Sequence, residues 1–583
     1  MRGNWSGLFQ RIQTTQTKNT GEFGNNHHEV TRAHVALFFG VAVMRTISPW
    51  WIPQRMKQWP NLMICYNAFI WPISPATRRI WPNSDTLFGQ IRSFLYLYGQ
   101  IKTSMIGRKR EIELLQEAIE KPRAQFITIY GRRRVGKTFL VNEFFQNKYA
   151  FKHTAISPFE DKNKKFKRNI LKLQLQEFHY SLRNFGLSPE EPIPTNWFAA
   201  FHLLQSLLES KDDGSNLVIF IDELPWMDTP RSNFMSAFEH FANDWVLARK
   251  NARLVVCGSA TSWILDKLLN NQGGLYGRVT LPIFVEPFTL KECREFFREG
   301  GYAMDEYDIV LTYMAFGGIP YYLDLFRRGL SVPQNFDAIL YGRKAPLRDE
   351  FNKLFSSQFA NPDELQHIVT ILAGKRSGYT RDEIAAKGGF TSGGGLTRLL
   401  KALSNSSLIT PYVPFGEDVT KYRLTDPFCV FYLKHVKDNQ DATTYWQSFY
   451  NSPAASNWAG HAFEDVCFAH IRQIKNALGI GDVITNESSW IVPGTENAKG
   501  MQIDLVIDRA DRKICLCEMK FRQGEYSIDN EYATKIQSRV NRTMEITQYG
   551  KPVISVLITT YGLHRNEYSG KIQKVITMDD LFQ

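Results

Sequence analysis

One octapeptide constrains this chain more than any other stretch: Gly131, Arg132, Arg133, Arg134, Val135, Gly136, Lys137 and Thr138. It follows directly on Gln125 to Tyr130, a short β-rich apolar run, and a helical apolar period begins at once with Phe139, Leu140, Val141, Phe144 and Phe145. Strand, glycine loop and helix in that order fit a turn whose main-chain N–H groups point inward around phosphate. The helix N-terminus adds a dipole that favours an anion. Lys137 is expected to reach the β- and γ-phosphates and the Thr138 hydroxyl to bind Mg²⁺, so ATP with magnesium is the expected ligand set.

Two further apolar runs predict buried parallel strands with polar tips. Leu217 to Ile221 ends in Asp222 and Glu223. Carboxylates at the carboxyl edge of such a sheet stand beside the glycine loop, where Asp222 is expected to hold Mg²⁺ and Glu223 to polarise an attacking water. The same pair also reads as an acidic helix N-cap, since Leu224 and Pro225 follow. Arg253 to Cys257 ends in Gly258, Ser259, Ala260 and Thr261. Ser259 or Thr261 could sense a γ-phosphate there, or cap the segment from Trp263 to Leu269; the two roles are compatible. Arg278 follows a glycine-rich turn and reads either as a charge donor to the triphosphate or as a surface arginine.

At 583 residues the chain exceeds one core, and three or four domains are expected. The hydrophobic share of 43% excludes wholesale disorder. A net charge of +12 is compatible with DNA as a partner without naming it. The seven cysteines are scattered without paired Cys-x-x-Cys motifs, so neither a zinc site nor a disulfide framework is expected, and a reducing cytoplasm is. No apolar run approaches the roughly 18 residues of a membrane span; Val35 to Met44 comes nearest. Residues 1–104 have a different character. They hold six of the thirteen tryptophans, and their only acidic residues are Glu22, Glu29 and Asp85. The coherent pattern begins at Met105, which is expected to be the natural start, the alternative being a genuine N-terminal arm.

Beyond the sheet, Leu290 to Arg328 predicts helices closing over the nucleotide. Asp363 to Ala373 is apolar at helical spacing, Thr380 to Glu383 is a capping-box start, and Ser392 opens a third helix with Leu396, Leu399, Leu400 and Leu403 in one stripe. Two β-like runs follow, Leu408 to Val413 and Thr420 to Leu424. Three helices and a hairpin make a winged helix. Arg398 and Lys401 lie off the leucine stripe, where they could meet DNA phosphate, unless the domain only packs on the nucleotide domain. Further on, Gln502 to Asp508 alternates, turns through Arg509 to Lys513 and returns as Ile514 to Phe521. Pairing Asp508 with Ile514 puts Asp504 opposite Glu518, with Lys520 on the same face. A divalent cation could bridge the two carboxylates to a phosphodiester, with Lys520 steadying the attacking water. The pair also reads as a solvated acidic contact relieved by lysine.

Met105 to about Leu325 resembles the AAA+-related STAND ATPases, through Ile106 to Glu111, the glycine loop, Ile221 to Trp226, and Leu275 to Arg278. Gly317 to Leu323 looks like their Gly-x-Pro lid motif, which implies that Pro320 closes over the adenine. Asp504 with Glu518, Met519 and Lys520 looks like the Asp…Glu-x-Lys core of PD-(D/E)xK restriction-endonuclease-like folds. Glu464, after Phe463, resembles their upstream acidic position and by that likeness is a further metal ligand. Ile503 stands where that family has a proline. The resemblances imply an α/β chain: a P-loop NTPase core (105–289), a helical lid (290–345), a winged helix (346–436) and a C-terminal α/β restriction-endonuclease-like domain (437–583). They imply an ATP-hydrolysing switch coupled to a Mg²⁺-dependent DNA nuclease, homo-oligomeric assembly being allowed. The alternative is a regulatory STAND-type ATPase whose C-terminal domain binds DNA or protein without catalysis.

Overall fold

Five short runs rich in β-branched and aromatic residues set up the first sheet: β1 (Gln125–Tyr130), β2 (Phe151–Thr154), β3 (Leu217–Asp222), β4 (Ala252–Gly258) and β5 (Leu281–Phe284). β3 and β4 are buried along their whole length. That is why they read as unbroken apolar runs and not as alternating ones: a parallel sheet is covered on both faces. The strands are all parallel, in the order β2-β3-β4-β1-β5. Phe126, Phe151, Phe178, Trp197, Phe201, Phe234 and Phe238 fill the core on one face. The computed structural model describes residues 105–158, 164–270, 272–359, 361–391, 393–494, 500–548 and 550–583. These all belong to one compact unit, Ser104–Gln583, and the expectations for residues 1–104 lie outside the described residues.

Helices dominate from Leu290 to Asn405. Leu290–Glu299 starts at a full capping box between Thr289 and Glu292, and Glu306–Phe316, Pro320–Leu323, Val332–Leu340 and Glu350–Ser356 follow. Next come Pro362–Ala373, Arg381–Gly388 and Gly394–Asn405. The Thr380–Glu383 capping box forms as its spacing predicts. Ser392 lies outside the described residues; the helix itself begins at Gly394 and buries Leu396, Leu400 and Leu403. β6 (Tyr379–Thr380), β7 (Ile409–Tyr412) and β8 (Lys421–Leu424) make a small antiparallel sheet in the order β6-β8-β7.

The C-terminal sheet runs β13-β12-β11-β10-β9, with β9 (Thr485–Val492), β10 (Met501–Arg509), β11 (Ile514–Lys520), β12 (Val553–Thr559) and β13 (Lys574–Ile576). β9 to β11 are antiparallel. β12 returns parallel to β11 through helix Asn530–Ile546, as a parallel connection requires. Asp508 pairs with Ile514 and Leu505 with Cys517, the register expected from the alternation. Against β9, β10 shifts register between Ile503 and Val506, an irregularity that flanks Asp504.

Two contacts favour the second of the two readings of the middle helices, packing on the nucleotide domain. Lys401 pairs with Asp266 at 2.9 Å, and Asn405 donates to Ser262 Oγ at 3.1 Å, so this face of Gly394–Asn405 lies on the α/β core. Arg398 is exposed. At the tip of the β7–β8 loop, the Phe415 ring meets Trp490 at 4.8 Å and its N–H donates to Ser489 O, which seats the loop on β9. Among the described residues no helix is long and apolar enough to cross a membrane.

Candidate nucleotide site and a second acidic cluster

The glycine loop leaves β1 at the carboxyl edge of the sheet, between β4 and β5. Gly131 adopts φ 143°, and a Cβ there would come within 2.4 Å of Val285 O, so only glycine fits. Gly136 turns the chain into helix Lys137–Phe144 at φ 93°. Lys137 is buried, and its ammonium donates to Gly131 O (3.0 Å) and Arg132 O (3.1 Å), closing the loop on itself. Burial lowers its pKa.

From this loop a chain of polar contacts crosses the strand ends. The Thr138 hydroxyl donates to Asp222 Oδ2 at 2.8 Å. Asp222 Oδ1 accepts the Glu223 N–H at 3.0 Å. One Glu223 carboxylate oxygen accepts both the Ser259 N–H (2.9 Å) and its hydroxyl (3.0 Å). Burial, reinforced by the neighbouring Glu223 charge, pushes Asp222 up to about 6 against the Thr138 hydrogen bond and Lys137. A buried carboxylate bonded to the hydroxyl that closes a glycine loop suits a hard cation that takes oxygen ligands. Glu223 makes no side-chain cap to the turn Leu224–Met227. Ala260, not a hydroxyl residue, holds the N-cap of Thr261–Ile264. The capping readings for Glu223, Ser259 and Thr261 are therefore replaced by a carboxylate–serine bond. The Thr261 hydroxyl is buried and has no partner among the described residues.

A family model for an ATPase domain predominantly from Archaea matches residues 105–326. An uncharacterized Methanocaldococcus jannaschii protein, MJECL04, is 28% identical over 424 residues, covering 72% of this chain and 87% of its own. The uncharacterized ATP-binding protein MJ0423 of the same organism is 42% identical over 52 residues, which is 9% of this chain and 85% of that one. Among solved structures, the Walker-type ATPase paby2304 of Pyrococcus abyssi aligns with a TM-score of 0.39 and 19% identity, over 57% of this chain and 97% of that one. The chain is a P-loop ATPase.

In this ATPase two of the three loop arginines are held by distant carboxylates. Arg132 is fully buried and bonds both oxygens of Asp426, while Arg134 pairs with Glu350 at 2.8 Å and lies 3.9 Å from the Tyr321 ring centre. With these two side chains held by carboxylates, the part the sequence reading gave Arg132 and Arg134 at the phosphates falls to their main chain. Arg108, which sequence reasoning left without a role, donates to Val135 O (2.8 Å) and Glu286 O (2.6 Å), bracing the loop from behind. Pro320 opens the turn Pro320–Leu323, whose Tyr321 and Tyr322 lie over the loop arginines. Arg278 is the clearest correction. It is exposed in the turn before β5, at the amino edge of the sheet, where Thr280 bonds to Phe126. β1 separates it from the loop by roughly 17 Å at about 3.3 Å per residue, beyond the reach of an arginine in the same chain.

The structure also gathers Glu464, Asp504, Glu518 and Lys520. Burial pushes Asp504 up to about 6, with the charges of Glu518 and Glu464 adding to it. Its Oδ2 accepts the Met519 N–H at 3.1 Å. Glu518 is met by Arg539, by the Tyr532 hydroxyl (2.6 Å) and by Lys520 (3.3 Å). Glu464 accepts from Arg376 at 2.9 Å, and Arg376 also donates to His461 O and pairs with Asp465 at 3.6 Å. Burial raises Glu464 and Glu518, yet these cationic partners outweigh it and hold both below the usual carboxylate range. Among the described residues no group of three or more is placed to hold a metal ion. The expected ligand set Glu464, Asp504 and Glu518 thus does not fit Mg²⁺ as arranged, because two of the three already face guanidinium groups. Arg376, Tyr532 and Arg539 carry no local sequence signal; each reaches the cluster from another element.

Proposed function

We propose that this ATPase is a magnesium-dependent molecular switch whose C-terminal module engages DNA without cutting it. The observation that carries the hydrolytic part is the bonded series Thr138, Asp222, Glu223 and Ser259 across the strand tips. Thr138 and Asp222 would hold Mg²⁺, which supplies charge neutralisation on the phosphates. Lys137 and the loop N–H groups hold the polyphosphate, and Glu223 orients the attacking water. Ser259, bonded to Glu223, sets where that carboxylate points. Pro320 flanks the base. Phosphate release tests this: Glu223→Gln should retain ATP binding and lose turnover, and undiminished turnover would overturn the assignment.

Within residues 346–436, the helices Pro362–Ala373, Arg381–Gly388 and Gly394–Asn405 with the sheet β6-β8-β7 have the make-up of a winged helix. The C-terminal strand order and its crossover helix support the restriction-endonuclease-like likeness. The arginines on Glu464 and Glu518 argue for binding over cleavage. Cleavage of plasmid or linear DNA in Mg²⁺ decides between the two readings: cleavage lost in Asp504→Ala would establish the nuclease and overturn this one.

A further inference from the structure

The glycine pattern makes no demand on its middle side chains, yet here three consecutive arginines fill them. Two are anchored far away in sequence. Arg132, 2% exposed, gives Nε and a terminal nitrogen to both oxygens of Asp426 at 2.7 and 3.2 Å. Asp426, 4% exposed, also caps helix Pro427–Phe431 by accepting the Cys429 N–H at 2.9 Å. Arg134 sits in the left-handed region at φ 71° and pairs with Glu350, itself 2% exposed. Tyr322 ties the two pairs together: its hydroxyl donates to Glu350 at 2.9 Å, and its ring lies 5.4 Å from the Arg132 guanidinium.

We propose that Asp426 and Glu350 are positioning residues for ATP hydrolysis, holding the phosphate loop in shape through Arg132 and Arg134. A bidentate guanidinium–carboxylate pair fixes direction as well as distance. Arg132 follows Gly131 and Arg134 precedes Val135, so the two anchors bracket the main chain that must aim its N–H groups at phosphate. Preorganised donors are what such a loop offers its ligand. Taking the carboxylate from a buried guanidinium leaves an uncompensated charge, which the loop can relieve only by moving. The affinity for ATP therefore depends on residues 216 and 294 positions beyond their loop partners in sequence, as 350 minus 134 and 426 minus 132 give. By reciprocity, bound ATP tightens the seat of the middle helices on the loop.

The inference rests on the assignment of this loop to the triphosphate, so Lys137→Ala runs beside it. In the full chain, Asp426→Asn keeps an acceptor for the helix cap and removes the charge. Its KM for Mg-ATP should rise roughly tenfold, about 1.4 kcal/mol, with kcat within about threefold of the parent. Arg132→Met should do the same, and the double variant should be no worse than either, because both break one contact. Glu350→Gln, which keeps the Tyr322 hydrogen bond, should raise KM by a smaller factor and decides the matter should Asp426→Asn not fold. A lower Tm with unchanged KM, or effects of Asp426→Asn and Arg132→Met that multiply, would make these pairs a structural brace and overturn the proposal. ATP binding that survives Lys137→Ala would instead remove the site assignment beneath it.

Discussion

The two clusters of acidic residues differ less in composition than in what bonds them. Beside the loop, Asp222 and Glu223 are satisfied by neutral donors: a threonine hydroxyl, main-chain N–H groups and a serine. In the C-terminal cluster, Glu464 and Glu518 are met by arginines, with Lys520 and a tyrosine beside them. Neutral donors orient a carboxylate and leave its charge for an incoming cation, while burial and the Glu223 charge raise Asp222 to about 6. Basic partners offset that charge in place: against burial, His461 and Arg376 hold Glu464, and Lys520 and Arg539 hold Glu518, below their ordinary range. Buried acidic residues thus mark a site, but the partner type decides whether their charge is left for a cation.

The comparison is open to direct attack. Lys137→Ala should have the largest effect, abolishing ATP uptake and lowering turnover by about 100-fold or more, as removal of a main electrostatic contact does. Retained uptake, measured by titration with labelled nucleotide, would sever the loop from the chemistry. Ser259→Ala should slow phosphate release by roughly tenfold with little change in KM, since a hydrogen bond to a charged group is worth about 1.5–3 kcal/mol and the Ser259 N–H bond remains. Arg376→Ala should make the second cluster resemble the first: Mn²⁺ affinity read by electron paramagnetic resonance should rise roughly tenfold, about 1.4 kcal/mol. Unaltered Mn²⁺ binding would show that arginine pairing is not what separates the clusters.

The smallest effect concerns the contact that joins the two regions. His470 Nε2 accepts the Leu290 N–H at 2.9 Å, and burial lowers its pKa to about 4. Between pH about 4 and the unfolded value near 6.5, the unfolded chain binds more protons than the folded one at this position. Its contribution is therefore complete above about pH 6.5 and lost as the pH falls towards 4. Tm should decline over that interval, and His470→Gln should flatten part of the decline; an unchanged profile would assign the whole slope to His153 and His435, which burial lowers in the same direction.

Much of this was legible in the sequence because it depends on neighbours in the chain. The glycine loop, the polar tips after Ile221 and Cys257, the Thr380 box and the Asp508–Ile514 register all follow from local backbone geometry. What escaped depends on contacts between distant segments. Nothing near Arg132 announces Asp426, and nothing near Glu464 announces Arg376. Lys401 lies off its leucine stripe as expected, yet faces Asp266 of the core. Arg278 belongs to a recognisable motif, but strand direction puts it at the opposite edge from the loop. Amphipathic spacing says which face of an element is buried, never which neighbour buries it.

The seat of Phe415 against Trp490 has its own consequence. A hairpin tip engaged by an aromatic partner within the same polypeptide cannot grip a duplex at the same moment. Any affinity of that tip for a helical polyanion is reduced by the fraction of molecules in which it has let go. On the proposed reading of a DNA-engaging module, whatever loosens the tip would favour polymer capture, and whatever tightens it would oppose it, without either touching the polymer.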